Sequence, residues 1–207
     1  MEDLWLGRVK RLGALASTGV HFGASEFDKE RYAEVGEIAL AMLADLADRP
    51  IRSLSGIMSN YGESYATPMI DVRGAVFRDG RILLVHEKMD GLWTLPGGYA
   101  DVGRSAAENV VKEVVEEAGI RVRASRLVAV RHKAKHAYAQ DARDFYKFLF
   151  LCEMDAAGEP APGPETLAAQ FFALDELPPL STGRTIAQDV ELCEACLADP
   201  RWHTVFD

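Results

Sequence analysis

The sequence predicts an α/β or α+β fold: a mixed sheet sandwiched between helices, with a helical region ahead of it. Three observations carry that prediction. Apolar residues recur at helical spacing up to about residue 62, then switch to short strand-like runs. A glycine-rich stretch, "LPGG" at residues 95–98, leads into one strongly amphipathic helical segment. Strand-like and helix-like segments then follow each other in mixed order, as in layered α/β architectures.

The N-terminal region, residues 1–64, carries three apolar stripes. Trp5, Val9, Leu12 and Ala16 form the first, Tyr32, Val35, Ile38, Met42 and Leu46 the second, and Leu54, Ile57, Met58 and Tyr61 the third. Ser25, with Asp28 in the first turn, is placed to cap the second helix, and Pro50 to end it. A region this small does not stabilise itself, so it is expected to pack on the remaining chain, on a second copy of itself, or on both. Trp5, Phe22, Phe27 and Tyr32 read as helix-packing aromatics, with base stacking as the alternative.

Periodicity changes around Glu63–Pro68, and residues 65–207 read as the main domain. "MIDVRGAVF" and "RILLVHE" are two strands joined by Arg78-Asp79-Gly80, a hairpin signal. "LWTL" leads into the glycine loop. "RLVAVRH" and "YKFLFLCEM" are further strands on either side of a polar segment, residues 132–144. "AAGEPAPGPET" is a surface loop by composition, "AAQFFAL" a last strand, and residues 185–198 a closing helix.

Composition narrows the function classes. The 207 residues are 48% hydrophobic and 27% charged, which is ordinary globular composition for one domain with a small appendage. A formal net charge of −9 and no basic run speak against a protein that grips duplex nucleic acid. Work on phosphates then calls for divalent cations. No leader pattern and no bilayer-length apolar run are visible, so a cytoplasmic protein without a membrane partner is expected. Cys152, Cys193 and Cys196 are too few, and odd in number, for a disulfide framework. Cys193 shares a helical face with Ile186, Val190 and Leu197, so the Cys193-x-x-Cys196 pair reads as core rather than zinc ligand.

The helix after the glycine loop poses an electrostatic question. Ser105-Ala106-Ala107-Glu108 is a capping box, and Gly119 sits at the C-terminal cap. Ala107, Val110, Val111, Val114, Val115 and Ala118 form the expected buried face, with Asn109, Glu113, Glu116 and Glu117 opposite. Like charges four apart, as Glu113 and Glu117 are, cost roughly 0.2–0.5 kcal/mol. Anions near a helix C-terminus cost about another 0.3–1 kcal/mol each. A solvated acidic face tolerates those costs, whereas a bound cation reverses their sign. Oxygen-only ligands favour Mg²⁺ or Mn²⁺.

From Gly98, the chain runs to Lys112-Glu113-Val114-Val115-Glu116-Glu117-Ala118-Gly119-Ile120. This resembles the Nudix box: Gly, five residues, Glu, seven residues, then Arg-Glu-hydrophobic-any-Glu-Glu-any-Gly-hydrophobic. Two positions depart, since Arg104 stands for the first Glu and Lys112 for the Arg. In the family those two residues pair and brace the loop against the helix. Here both are basic, and Glu108, four residues before Lys112, is the expected replacement partner.

The resemblance continues through "DKERYAEV", "YATPMIDVRGAVF", "LLVHEKMDGLWTLPGGYADVG" and "FFALDELPPLS", which are similar to the bacterial CDP-choline pyrophosphatase subgroup of Nudix hydrolases. That subgroup also lacks the first box Glu and keeps the Lys. It implies the Nudix fold, a homodimer organised by the N-terminal helices, and Mg²⁺- or Mn²⁺-dependent hydrolysis of a pyrophosphate bond in a nucleotide substrate, yielding CMP and phosphocholine from CDP-choline. The alternatives are ADP-ribose or a nucleotide sugar as substrate, RNA-end processing, or nucleotide sensing.

The resemblance further implies Glu113, Glu116, Glu117 and the Gly98 carbonyl as metal ligands. The base is expected to be Glu116 or Glu165; the family often has an acid at the position held here by Ala168. Lys133, Lys135 and His136 are expected to meet phosphate or base, or else to form a solvated basic loop.

Overall fold

A computed structural model describes residues 3–47, 65–156 and 158–207. The third apolar stripe, Pro50 and Glu63 lie outside the described residues. The chain divides into two units, residues 1–69 with 140–145, and residues 70–139 with 146–207.

In the first unit, α1 spans Leu4–Phe22 and α2 spans Glu26–Ala47. The Asp3 carboxylate caps α1 by accepting the N–H groups of Trp5 and Leu6 at 2.9 and 3.2 Å. At the start of α2, Ser25 Oγ accepts the Asp28 N–H at 3.1 Å and donates to the Asp28 carboxylate at 2.7 Å. The helix faces that bury differ from the expected stripes. Leu6 and Val9 pack with Ala39, Leu43 and Ala44, and Ala16 is buried near Gly36, while Trp5, Leu12, Tyr32, Val35, Ile38 and Leu46 remain exposed. Small residues among the packed ones let the two helices approach closely. A Cβ on Gly19 would lie 2.2 Å from the Tyr32 ring, which shows how close that approach is. Lys10, nearly buried, is paired at 2.9 Å by Asp144 from the 140–145 segment.

The second unit is built on eight strands: β1 Met69–Arg78, β2 Arg81–Glu87, β3 Trp93–Thr94, β4 Gly97–Tyr99, β5 Val122–His132, β6 Phe145–Met154, β7 Thr166–Ala173 and β8 Val205–Phe206. Strand order is β3-β2-β1-β6-β5-β8, with β4 on β1 and β7 on β2. The sheet is mixed, since β5 runs antiparallel to β6 and parallel to β8. Asp79 and Gly80, at φ 51° and 72°, make the β1–β2 turn. Two positive φ values match the right-handed twist of the strands they join.

Helices α3 (Ala106–Ala118) and α4 (Ala187–Ala198) cover opposite faces of this sheet. Val72, Val76, Leu83 and Val85 pack under Val110, Val114 and Ala118 of α3. The alternate positions Ala75, Ile82 and Leu84 pack under Val190, Cys193 and Cys196 of α4. The three cysteines are free and buried, as core residues. No described helix is long and apolar enough to cross a membrane.

Candidate active site

The glycine stretch is a short strand rather than an open loop. Gly97, Gly98 and Tyr99 pair with Arg73, Val72 and Asp71 of β1. Gly97 has φ 149°, and a Cβ there would lie 2.0 Å from the Val72 carbonyl oxygen, so no other residue fits. At Gly98 a Cβ would come within 3.3 Å of the Glu113 carboxylate. Bare backbone thus faces the carboxylate directly.

Helix α3 starts on its capping box. Ser105 Oγ accepts the Glu108 N–H at 3.2 Å, and the Glu108 carboxylate accepts the Ser105 N–H at 2.7 Å. Gly119 ends it at φ 68°. Its buried face is rotated from the expected one. Val110, Val114 and Ala118 are buried, but Val115 is exposed, and Asn109 and Glu117 are buried instead. Apolar periodicity alone places Asn109 outside; its amide is taken up by the loop before the helix.

The expected Glu108–Lys112 pair does not form, because Glu108 is committed to the cap. Lys112 Nζ lies 3.2 Å from Asp101, 3.2 Å from Glu113 and 3.3 Å from Glu116. These carboxylates hold the ammonium above its ordinary pKa, the hydrogen bond to Asp101 first among them. Arg104 makes none of these ion pairs; it lines, with Lys112, Val111 and Arg123, a groove of about 670 Å³ between α3 and β5.

The three glutamates differ in environment. Glu117 is buried, and its carboxylate accepts the Gly97 N–H at 2.8 Å. Burial pushes its pKa up to about 8; the Arg73 charge and the Gly97 bond oppose the rise, and Glu87 and Glu113 reinforce it. Glu113 is also pushed up by burial, against the Lys112 hydrogen bond. Glu116 is exposed. Among the described residues, no three His, Cys, Asp or Glu side chains gather around one point. Gly97 holds Glu117, and Lys112 stands between Glu113 and Glu116.

The α3 carbonyls are answered by the loop that carries Glu165. Ala161 N–H donates to Ala118 O at 2.9 Å, Gly163 N–H to Glu117 O at 3.3 Å, and Thr166 Oγ1 to Glu117 O at 2.9 Å. These donors offset the negative end of the helix dipole. They also fasten the segment around the exposed Glu165 to the glutamate end of α3. The expected surface loop is therefore an anchored one.

Lys133 and Lys135 lie in a single 3₁₀ turn after β5. His136 Nε2 pairs with the Asp207 carboxylate at 2.8 Å, and Asp207 also accepts the His132 N–H. Cross-strand register puts the end of β5 beside Lys147 of β6, which bonds Asp71 at 2.6 Å, opposite Tyr99. The 3₁₀ turn and the glycine strand therefore lie toward the same end of the sheet.

A buried ionic row escaped the sequence reading. Arg73 donates to both Asp71 oxygens at 3.0 and 2.8 Å, and Lys147 to one. Burial alone would raise the Asp71 pKa, but the Arg73 and Lys147 charges hold it at about 2. Further along, Arg131 binds Asp189 at 2.8 Å and Tyr138 donates to the same carboxylate. Its signal was a lysine inside the apolar run "YKFLFL", and Asp71 and Arg73 on one strand face.

Comparisons with known proteins agree with this fold. Residues 68–190 match the NUDIX domain, and residues 3–58 match a UDP-X-like, N-terminal oligomerisation domain. A Bacillus subtilis (strain 168) protein, whose name assigns it provisionally as an ADP-ribose pyrophosphatase, is 42% identical over 100% of this chain and 99% of its own. The crystal structure of an ADP-ribose pyrophosphatase from Streptococcus suis 89-1591 is 46% identical with a TM-score of 0.62, over 68% of this chain and all of that one. The crystal structure of a UDP-X diphosphatase is 31% identical with a TM-score of 0.62, over 97% of both chains.

Proposed function

The chain belongs to the Nudix hydrolase family, and from that premise we propose that it cleaves the pyrophosphate of a small nucleoside diphosphate-X, CDP-choline first, into CMP and phosphocholine. The observation that carries the reading is the placement of Glu113 and Glu117, one turn apart on α3, against the backbone of Gly98 and Gly97, with Glu116 exposed beside them. Similarity of the quoted stretches to the CDP-choline subgroup favours that substrate. The names of the B. subtilis relative and the S. suis structure favour ADP-ribose as a second reading, and the UDP-X diphosphatase keeps other pyrimidine nucleotides in view.

Nudix hydrolases generally work with a divalent ion such as Mg²⁺ or Mn²⁺. The donor chemistry fits one, and the three glutamate side chains would have to converge to hold it. The donors are all oxygen, as hard cations require. Position 98 lacks the Cβ that would crowd the Glu113 carboxylate, and Glu117 is buried with its charge only partly answered. Glu113, Glu116, Glu117 and the Gly98 carbonyl would hold the ion, which supplies Lewis acidity and positive charge to the diphosphate.

The chain's own groups then divide the work. Gly97 N–H and the surrounding strand fix the Glu117 carboxylate. Glu116, exposed at the end of α3, and Glu165, on the loop fastened to that end, are the groups that can accept a proton from an attacking water. Lys133, Lys135 and His136 offer cationic and donor groups to the nucleotide. The N-terminal unit, by its exposed apolar faces and its family match, joins two copies.

Purified protein with Mg²⁺ or Mn²⁺, offered CDP-choline, ADP-ribose, UDP-linked sugars and short RNA, tests this by product analysis. CMP with phosphocholine as dominant products is the expected result. Preferential AMP and ribose phosphate from ADP-ribose would move the substrate, and no turnover at all would sink the reading.

A further inference from the structure

We propose that Asn109, with the Asp101–Lys112 ion pair, is the positioning device that sets residues 101–105 against helix α3, in place of the acid–arginine brace missing at positions 104 and 112. The inference rests on the proposed metal-binding role of α3. Its starting point is a fully buried amide on a helix face lined by carboxylates: Asn109 is 0% exposed.

Burying an amide is unfavourable unless its donors and acceptor are satisfied. Here the loop satisfies them. Asn109 Oδ1 accepts the Asp101 N–H at 3.0 Å, and Nδ2 donates to the carbonyls of Asp101 at 3.3 Å and Ser105 at 3.1 Å. One side chain therefore clasps both ends of the five-residue span. The helix holds the loop, and the loop is what solvates the amide.

The ion pair acts at the same residue. Asp101 offers its backbone to Asn109 and its carboxylate to Lys112 at 3.2 Å. Lys112 also reaches Glu113 and Glu116, so fixing Lys112 fixes the ammonium beside two proposed metal ligands. The Arg104 side chain makes none of these bonds; only its carbonyl takes part, as the weakest of the clasp's acceptors, at 3.5 Å from Asn109 Nδ2. An acid at 104 is dispensable here because its structural task has moved three residues back along the loop, to Asp101.

The device works on orientation and touches no reacting atom, so its loss should appear in kcat and metal affinity before KM. Asn109→Ala is expected to lower kcat and weaken Mn²⁺ binding by about tenfold or more, in the range seen when groups that orient ligands are lost. Amide exchange over residues 99–105 should accelerate, with exchange at Val110 and Val114 unchanged. Asp101→Asn, at an exposed position where folding is not at risk, should give a smaller loss of the same kind. Asp101→Glu should recover part of it. Arg104→Ala should leave all three readouts at wild-type values.

Wild-type loop exchange and Mn²⁺ affinity in both Asn109→Ala and Asp101→Asn would overturn the proposal, as would an Arg104→Ala loss equal to theirs. If the wild type neither binds Mn²⁺ nor turns over nucleotide, the functional reading fails. Exchange at residues 99–105 would still decide the clasp, because that signal needs neither metal nor substrate.

Discussion

Asp71 and Glu117 are both buried carboxylates, 6% exposed each, in the same unit of the protein, yet they are balanced in opposite ways. Asp71 receives two bonds from Arg73 and one from Lys147, and its pKa is held at about 2 despite burial. Glu117 receives one backbone N–H, has Glu113 and Glu87 among its neighbours, and is pushed up to about 8. The fold is able to neutralise buried acid completely, and beside the glycine strand it leaves the work undone. Incomplete internal compensation marks the place where an external cation is expected.

The comparison breaks most visibly at Asp71. Asp71→Ala strands Arg73 and Lys147 without their carboxylate, and breaking a buried pair of this kind costs about 3–5 kcal/mol. A urea midpoint should show that loss, and a change under 1 kcal/mol (roughly the value of a surface pair) would mean the row is not compensated as described. Next comes Glu113→Gln, for which kcat/KM should fall by about 10²–10³-fold, as for other losses of transition-state charge stabilisation. Its thermal midpoint should hold or rise, because the side chain removed is an acid whose charge burial disfavours. Falling stability together with falling activity would instead make Glu113 a structural residue.

Acid unfolding sharpens the same contrast. The folded pKa of Asp71 lies below its ordinary 3.8, so its contribution is in place above that value and is lost as the pH falls toward about 2. The shift corresponds to about 2 kcal/mol. The smallest expected effect is at the end of α3. Gly119→Ala forces a Cβ onto φ 68° and should cost about 1 kcal/mol of stability, without changing metal affinity.

Much of this was legible in the sequence where local chemistry decides local structure. The Ser105–Glu108 box, the Asp79-Gly80 turn and the Gly119 cap formed where their residue types require. The placement of Glu113, Glu116 and Glu117 at one end of α3 could be read because box spacing fixes which residues share a turn. Positions whose environment comes from distant chain were not legible. Asn109 counts as polar in any periodicity, and only the folded-back loop makes its burial favourable. Asp71 and Arg73 alternate with Val72 as a solvent-facing row would, and the lysine inside "YKFLFL" signals an unusual buried cation without saying which carboxylate it meets. In the N-terminal helices the packed face mixes Leu6, Val9 and Leu43 with the small Ala39 and Ala44, and Ile38 and Leu46 stay exposed, which apolar periodicity does not foretell. β8 spans only two residues, too few to carry a pattern.

The most direct test of the central claim is the thermal midpoint of metal-free protein at about pH 5 and about pH 8, with and without Mn²⁺, for wild type and Glu117→Gln. A carboxyl whose folded pKa is raised contributes stability below its ordinary 4.5, and that contribution is lost as the pH rises toward about 8. The wild-type midpoint is expected to fall over this window, to recover with Mn²⁺, and to fall much less in Glu117→Gln. An equal fall in both proteins, with no effect of Mn²⁺ on the wild type, would contradict the central claim.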